Sequence, residues 1–409
     1  MFSNADIRLL FATRIVRMFS YGLLAVILAL YLSEAGLSDS EIGLLLTLTL
    51  LGDTLISLWI TTRADRFGRK RMLLIGAALM IFAGILFAFT RDFYLLLFAA
   101  TIGVISPSGN EVGPFLAIEQ SALAQTLSAE KRTQVFAWYQ LAGSLATALG
   151  SLAGGGLSQI MQNGGADPLS SYRVIILVYA ALGLALGVLF NFVSPRVEVP
   201  ENGSDAAKVN LLGLGKSSKT VIRLAVLFSL DAFAGGFVVQ SIVAYWFHVR
   251  YGVNPATLGA IFFGANIFAG ISALSAAWIA KKIGLLNTMV FTHVPSNILL
   301  ILVPLMPNLP LAITILLLRF SISQMDVPTR QSYTLAVVSP EERSSAAGVT
   351  GIARTLGASL APIIAAPLIG ITALSGLPFI ISGVLKLIYD FSLFHSFKTI
   401  KPPEEQVVE

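Results

Sequence analysis

Four ionisable residues stand inside long apolar runs: Arg17 in "ATRIVRMFSYGLLAVILALYL", Glu111 in "GVISPSGNEVGPF", Asp231 in "LAVLFSLDAFAGGFVV" and Asp326 in "SISQMDVPTRQ". A charge at the centre of a membrane span costs roughly 2.5 to 3.5 kcal/mol or more, so such residues are candidates for binding a charged solute, relaying a proton or pairing across helices. Counted at about 1.5 Å per helical residue, all four fall about 15 Å from one edge of the bilayer, near its midplane. Arg14, slightly shallower, and Arg354, at a similar depth, add positive charge to that layer, and Tyr21 is the aromatic residue deep enough to join it. Pro107, Gly109, Gly113 and Pro114 around Glu111 interrupt a helix and free backbone groups that can bind solute or water. A carboxylate there, with arginines in the same layer, is poised between charged and protonated forms, which makes Glu111 the first choice for proton exchange. The bland alternative is a set of satisfied salt bridges that hold the bundle together.

The elements that carry these residues follow from composition. Of 409 residues, 56% are hydrophobic and only 12% are charged, against about 25% charged in soluble chains. Apolar segments long enough to cross a bilayer are expected near 8–33, 41–63, 72–90, 93–122, 133–161 and 172–194, then 221–249, 256–281, 286–306, 309–337, 344–369 and 374–396. They are continuous runs, not the alternating ten-residue segments of a barrel, so the expected fold is an all-α integral membrane protein with twelve transmembrane helices. The formal charge of +5 resides between spans, where it orients the chain, and no nucleic-acid partner is expected. The basic loop "TTRADRFGRKR" and the lysines and arginines at 131–132, 196–223, 281–282 and 343 share one side. That side is cytoplasmic by the positive-inside rule, and so are both termini. Arg14 and Arg17 in the first apolar segment argue against a cleaved leader.

The polar stretch 196–219 separates two six-span halves, 1–195 and 220–397, and 398–409 forms a cytoplasmic tail. "EQSALAQTLSAEKR" (119–132) aligns without gaps on "RQSYTLAVVSPEER" (330–343), and "YLSEAGLSDSEIG" (31–43) on "FHVRYGVNPATLG" (247–259). Glu119 and Arg330 occupy equivalent positions with opposite charge. They could form a cytoplasmic gate, or each could pair inside its own half with Arg132 or Glu341. Lys386 and Asp390, four residues apart, are expected to pair on one helix face.

"ADRFGRKR" after the second span resembles the loop signature of the major facilitator superfamily, and span count, linker and half-repeat extend the resemblance over the whole chain. Thr61 departs from the signature, which carries glycine there. The resemblance implies alternating access by two pseudo-symmetric halves, with helices 1, 4, 7 and 10 lining the cavity, and those spans hold the four midplane charges. It implies a conformational role for Asp65, Arg66, Gly68 and Arg69, with Asp65 facing the amino end of the eleventh helix near Ser344 and Ser345. The glycine-rich "GSLATALGSLAGGG" lacks the proline of the exporters' motif, so import and export both stay open.

The chain has no cysteine, and its three histidines, His248, His293 and His395, lie on separate segments, so no metal site and no cofactor are expected. No catalytic constellation is visible, and the chain is not expected to be an enzyme. The expected function is secondary active transport of a small polar or charged solute, coupled to protons, by a monomer in the cell membrane. Its partners are membrane lipids, the solute and protons. An efflux pump for amphipathic compounds is the alternative, and a non-transporting sensor on the same fold is the alternative of another class.

Overall fold

The computed structural model describes residues 5–126, 129–198, 215, 217–339 and 342–400, without the side chains of 65, 125–126, 129–134, 196 and 344. Most of the linker, the tail from 401, the Asp65 side chain and the gate alternatives Arg132 and Glu341 therefore lie outside the described residues.

Among the described residues there are sixteen α-helices, and each expected span holds one or two of them. They are α1 (Ala5–Glu34), α2 (Asp39–Phe67), α3 (Arg69–Phe89), α4 (Phe93–Ile102), α5 (Phe115–Thr126), α6 (Ala129–Asn163), α7 (Pro168–Asn191) and α8 (Ser218–Gly236). The others are α9 (Gln240–Tyr251), α10 (Pro255–Ile283), α11 (Leu285–Leu302), α12 (Leu309–Phe320), α13 (Asp326–Ala336), α14 (Arg343–Ser359), α15 (Pro362–Gly370) and α16 (Leu377–Phe397). Spans four, seven, ten and eleven each come in two pieces. Among the described residues, nine helical stretches are long and apolar enough to cross a membrane, and there is no strand.

Local chemistry sets the helix ends. Ser38 and Glu41 form a reciprocal capping box at the start of α2, and Asp167 caps α7 ahead of Pro168, which satisfies amide donors that have no partner inside the helix. Gly68, with φ +99°, makes the sharp turn between α2 and α3 that an L side chain would strain.

The chain forms two compact units, Met1–Asp205 with Val239–Phe263, and Ala206–Val238 with Gly264–Glu409. In unit 1, α1 carries no charge from Ser20 to Leu32 and is buried on every side there, as expected for a helical stretch with no solvated face. Gly22 on α1 touches the backbone of Thr147 on α6, so the two helices approach as closely as backbone allows. The segment Val239–Phe263 belongs here through its own bonds. Tyr245 Oη donates to Asp39 (2.8 Å), the Ser241 amide to the Pro107 carbonyl (3.0 Å) and Gln240 Nε2 to Ser151 Oγ (3.2 Å).

In unit 2, α8 packs on α14 and α16, and α11 on α13 and α16. Leu224, Phe228, Met289, Tyr333, Tyr389 and Leu393 form its buried core. Large apolar side chains such as Leu184, Trp278 and Phe391 stay exposed on outer faces, which suits contact with lipid.

Candidate functional site

Each unit encloses a charge cluster. In unit 1, Arg17 is fully buried and uses all three guanidinium nitrogens: Nε donates to Glu111 Oε1 (2.7 Å), Nη1 to Glu119 Oε1 (2.9 Å) and Nη2 to Glu119 Oε2 (2.6 Å). The last two bonds make the bidentate fork that fits a guanidinium to a carboxylate. Arg14 donates to Glu111 Oε2 (2.6 Å), Gln140 Oε1 (2.7 Å) and the Tyr139 carbonyl (2.9 Å). Thr13 Oγ1 (2.7 Å) and the Tyr139 hydroxyl complete the shell of Glu119. The two guanidiniums also lie over rings, Arg14 on Tyr139 and Arg17 on Phe115, at 4.5 and 4.8 Å. Two cations face two anions, so the cluster is neutral, and Glu111 keeps 14% of its side chain exposed.

Glu111 reaches this place because the fourth span unwinds between α4 and α5. Gly109 and Gly113 take positive φ values, +68° and +80°, that cost glycine nothing. The freed backbone groups find partners: the Tyr21 hydroxyl donates to the Val112 carbonyl (3.1 Å), the Tyr179 hydroxyl to the Val104 carbonyl, and Asp53 accepts from the Gly113 amide (2.6 Å). Tyr21, expected in the solute layer, is thus buried and bonded to the broken segment. The tenth span breaks in register. The gap-free repeat that sets Glu119 over Arg330 sets Phe115 over Asp326, and these residues begin α5 and α13.

In unit 2, three cations converge on one carboxylate. Lys386 Nζ lies 2.6 Å from Asp231 Oδ1, while Arg354 Nη1 and Arg330 Nη1 lie 3.1 and 3.3 Å from Oδ2. Arg330 also binds Asp326 one turn earlier on α13, at 2.6 Å. Asp231, Asp326, Arg330 and Lys386 are buried, whereas Arg354 keeps 31% of its side chain exposed. The expected Lys386–Asp390 pair gives way to cross-helix partners: Lys386 turns to Asp231, and Asp390 binds His293 and Asn297. A salt bridge to another helix satisfies a buried ammonium as well as an i,i+4 pair does, and tertiary packing decides between them.

Glu119 and Arg330 are each committed to partners inside their own unit, Arg17 with Thr13 and Tyr139 in one case and Asp231 with Asp326 in the other. A gating role asks each to give those partners up. In the basic loop, Arg66 is exposed and Arg69 Nη1 donates to the Val197 carbonyl (3.1 Å). The Glu198 carboxylate accepts from the Arg69 and Lys70 amides at 2.6 and 3.0 Å, which caps the amino end of α3 where a negative charge is favourable.

The model for the major facilitator superfamily matches residues 10–362. The chain belongs to the major facilitator superfamily. A membrane protein of Saccharomyces cerevisiae is 31% identical over 423 residues, a match covering 96% of this chain and 94% of the yeast protein. Among solved structures, a bacterial homolog of the human lysosomal transporter Spinster, inward-facing and unoccupied, matches with a TM-score of 0.73 at 14% identity, over 96% of this chain and 97% of that one. A D-xylose–proton symporter matches with a TM-score of 0.72 at 16% identity, over 95% and 97% of the two chains. These likenesses agree with the all-helical fold. The four charges of the apolar runs, Arg17, Glu111, Asp231 and Asp326, sit on α1, on the broken segment before α5, on α8 and at the start of α13.

Sequence reasoning missed several members of the two clusters. Tyr139, expected near a span end, is buried against Glu119 and Arg14; Asp53, Gln140, Glu198 and His293 also have partners that no local pattern announces.

Proposed function

We propose that this member of the superfamily is a secondary active transporter that moves a small polar or charged solute across the cell membrane by alternating access, coupled to protons. The observation that supports the reading is one partly exposed member in each of two otherwise buried ion clusters, Glu111 at 14% and Arg354 at 31%. Removing one partner of a buried ion pair costs about 3 to 5 kcal/mol, so a charged group in such a cluster moves only when another charge takes its place. A charged group of a solute, or a proton, is such a replacement. At Glu111 an incoming proton neutralises the carboxylate and releases Arg14 and Arg17 to an anionic group; at Arg354 an anionic group takes over the bond to Asp231. In this reading Arg14, Arg17, Glu111, Asp231, Asp326 and Arg354 carry solute and coupling, Tyr21 supports the broken segment, no residue is catalytic, and the protein works as a monomer with both termini cytoplasmic.

The test is flux. Purified full-length protein in proteoliposomes, loaded with a pH-sensitive dye and offered a panel of labelled amino acids, organic acids and organic cations, should show proton movement that depends on one class of solute. If every solute that enters does so without moving protons and without responding to an imposed pH gradient, the coupled reading fails.

A further inference from the structure

A histidine stands between two carboxylates of unit 2, and the transport reading leaves it unused. His293 lies on α11 and is 4% exposed. Its Nδ1 is 2.8 Å from Asp390 Oδ1, and Asn297, one turn later on α11, donates from Nδ2 to Asp390 Oδ2 at 2.8 Å. With Asp390 ionised, the neutral ring carries its one proton on Nδ1 and donates it to Oδ1, which leaves Nε2 without a proton. The other ring nitrogen, Nε2, faces Asp231 Oδ1 at 4.0 Å. That is too far for a hydrogen bond and near enough for strong attraction once Nε2 is protonated. A second proton on the ring makes an imidazolium between two carboxylates.

Asp231 is also the anion on which Lys386, Arg354 and Arg330 converge. The titratable groups that face the ring are Asp390 and Tyr389 on α16 and Asp231 on α8, and the charges on Asp231 and its neighbour Asp326 are Lys386 on α16, Arg354 on α14, Arg330 on α13 and the part-buried Arg319 on α12. Tyr389 meets the imidazole edge-on, with centroids 6.0 Å apart, and fixes its plane. With two positions taken on Oδ2 and one on Oδ1, a charged His293 is the fourth cation on a carboxylate that already holds three. Its gain is a loss for the others, and Arg354 gives way first because it alone keeps substantial contact with water.

We propose that His293, set between Asp390 and Asp231, is a proton-binding site of the second unit, and that its second proton loosens Arg354 from Asp231. The proton enters at Nε2 and leaves from the same atom; no other bond changes. The inference rests on the transport reading only for what the proton drives.

Three histidines make the site accessible to direct observation. Imidazole ¹⁵N resonances of the full-length protein in lipid nanodiscs, recorded over a fixed pH range and assigned by their loss in His293→Gln, should show His293 gaining a second ring proton as the pH falls. In Asp231→Asn the ring should stay singly protonated over that range. Because the chain has no cysteine, a single Ala353→Cys beside Arg354, in the groove of about 430 Å³ between α8 and α14, reports the seam. Its maleimide labelling rate, divided by the thiolate fraction that the reagent needs, should change severalfold over the same pH range and become flat when His293→Gln is added. A ring that keeps one protonation state throughout in the native protein, or a pH profile of labelling untouched by His293→Gln, overturns the proposal. Neither measurement needs a solute, so a failed flux assay beside an intact His293 titration counts against coupled transport and leaves the proton site standing.

Discussion

Replacing Glu119 by Gln preserves shape and removes one charge where Thr13, Tyr139 and two nitrogens of Arg17 all donate. The amide offers one acceptor oxygen and turns a donor toward a guanidinium. Arg17, with no exposure, then keeps Glu111, through Nε, as its one anionic partner. Loss of one partner from a buried pair costs about 3 to 5 kcal/mol, most of it the penalty of the cation left behind. Glu111→Gln removes a carboxylate that both arginines touch, but water reaches 14% of it, and the loss should be nearer the roughly 1.5 to 3 kcal/mol of a charged hydrogen bond. The ordering separates burial from simple bond counting. Unfolding of purified variants in one detergent, by heat or denaturant, should rank native above Glu111→Gln above Glu119→Gln. A double variant, Arg17→Met with Glu119→Leu, should recover much of the loss, since apolar groups of similar volume replace a buried pair at little or no cost. Glu119→Gln within about 0.5 kcal/mol of native, the spread of ordinary surface changes, would refute the claim that this pair is held in a dry interior.

Three further outcomes test the supporting structure. Gly22→Ala puts a methyl group into the Thr147 carbonyl and should cost about 1 to 3 kcal/mol or more through overpacking, whereas Gly156→Ala, with open space around it, should be neutral or stabilise α6 by up to about 1 kcal/mol; unfolding midpoints read both. Asp53→Ala removes the acceptor of the Gly113 amide and should speed hydrogen exchange across 103–114, at a cost of about 1 to 3 kcal/mol for the donor left unpaired. Asp167, just outside its span, is held below the usual carboxylate range by the side chain and amide of Ser170. A depressed carboxylate contributes stability above its unfolded pKa of about 3.9 and loses it as pH falls through the folded value, so amide exchange in the first turn of α7 should accelerate only below about pH 4.

The charges of the two clusters were legible in the sequence because an ionisable residue in an apolar run is conspicuous, and their partners were not. Arg17 could be seen, but its fork to Glu119 depends on how α1 meets α5, which no spacing encodes. Glu111 was legible together with its unwound setting, since two prolines and two glycines in eight residues leave little else. The breaks before α9 and α15 were less visible: Gly235 and Gly236 precede the first and Pro362 follows the second, signals that continuous helices also tolerate. Tyr139 and His293 were hidden because one aromatic or imidazole on a helix says nothing about the side chain it will face. Lys386 misled for a similar reason, its i,i+4 neighbour being a local pattern and Asp231 a tertiary one.

Proton-driven accumulation by Glu111→Gln tests most directly whether the partly exposed carboxylate of unit 1 couples solute to protons. Native protein and the variant, reconstituted at equal density and given the solute identified in the flux panel, would be compared for uptake against a gradient under an imposed pH difference and for exchange of internal against external solute. Glu111→Gln should lose accumulation and its pH dependence while exchange continues. Accumulation at the native level with the native pH profile would contradict the assignment and leave Glu111 a fixed partner of Arg14 and Arg17.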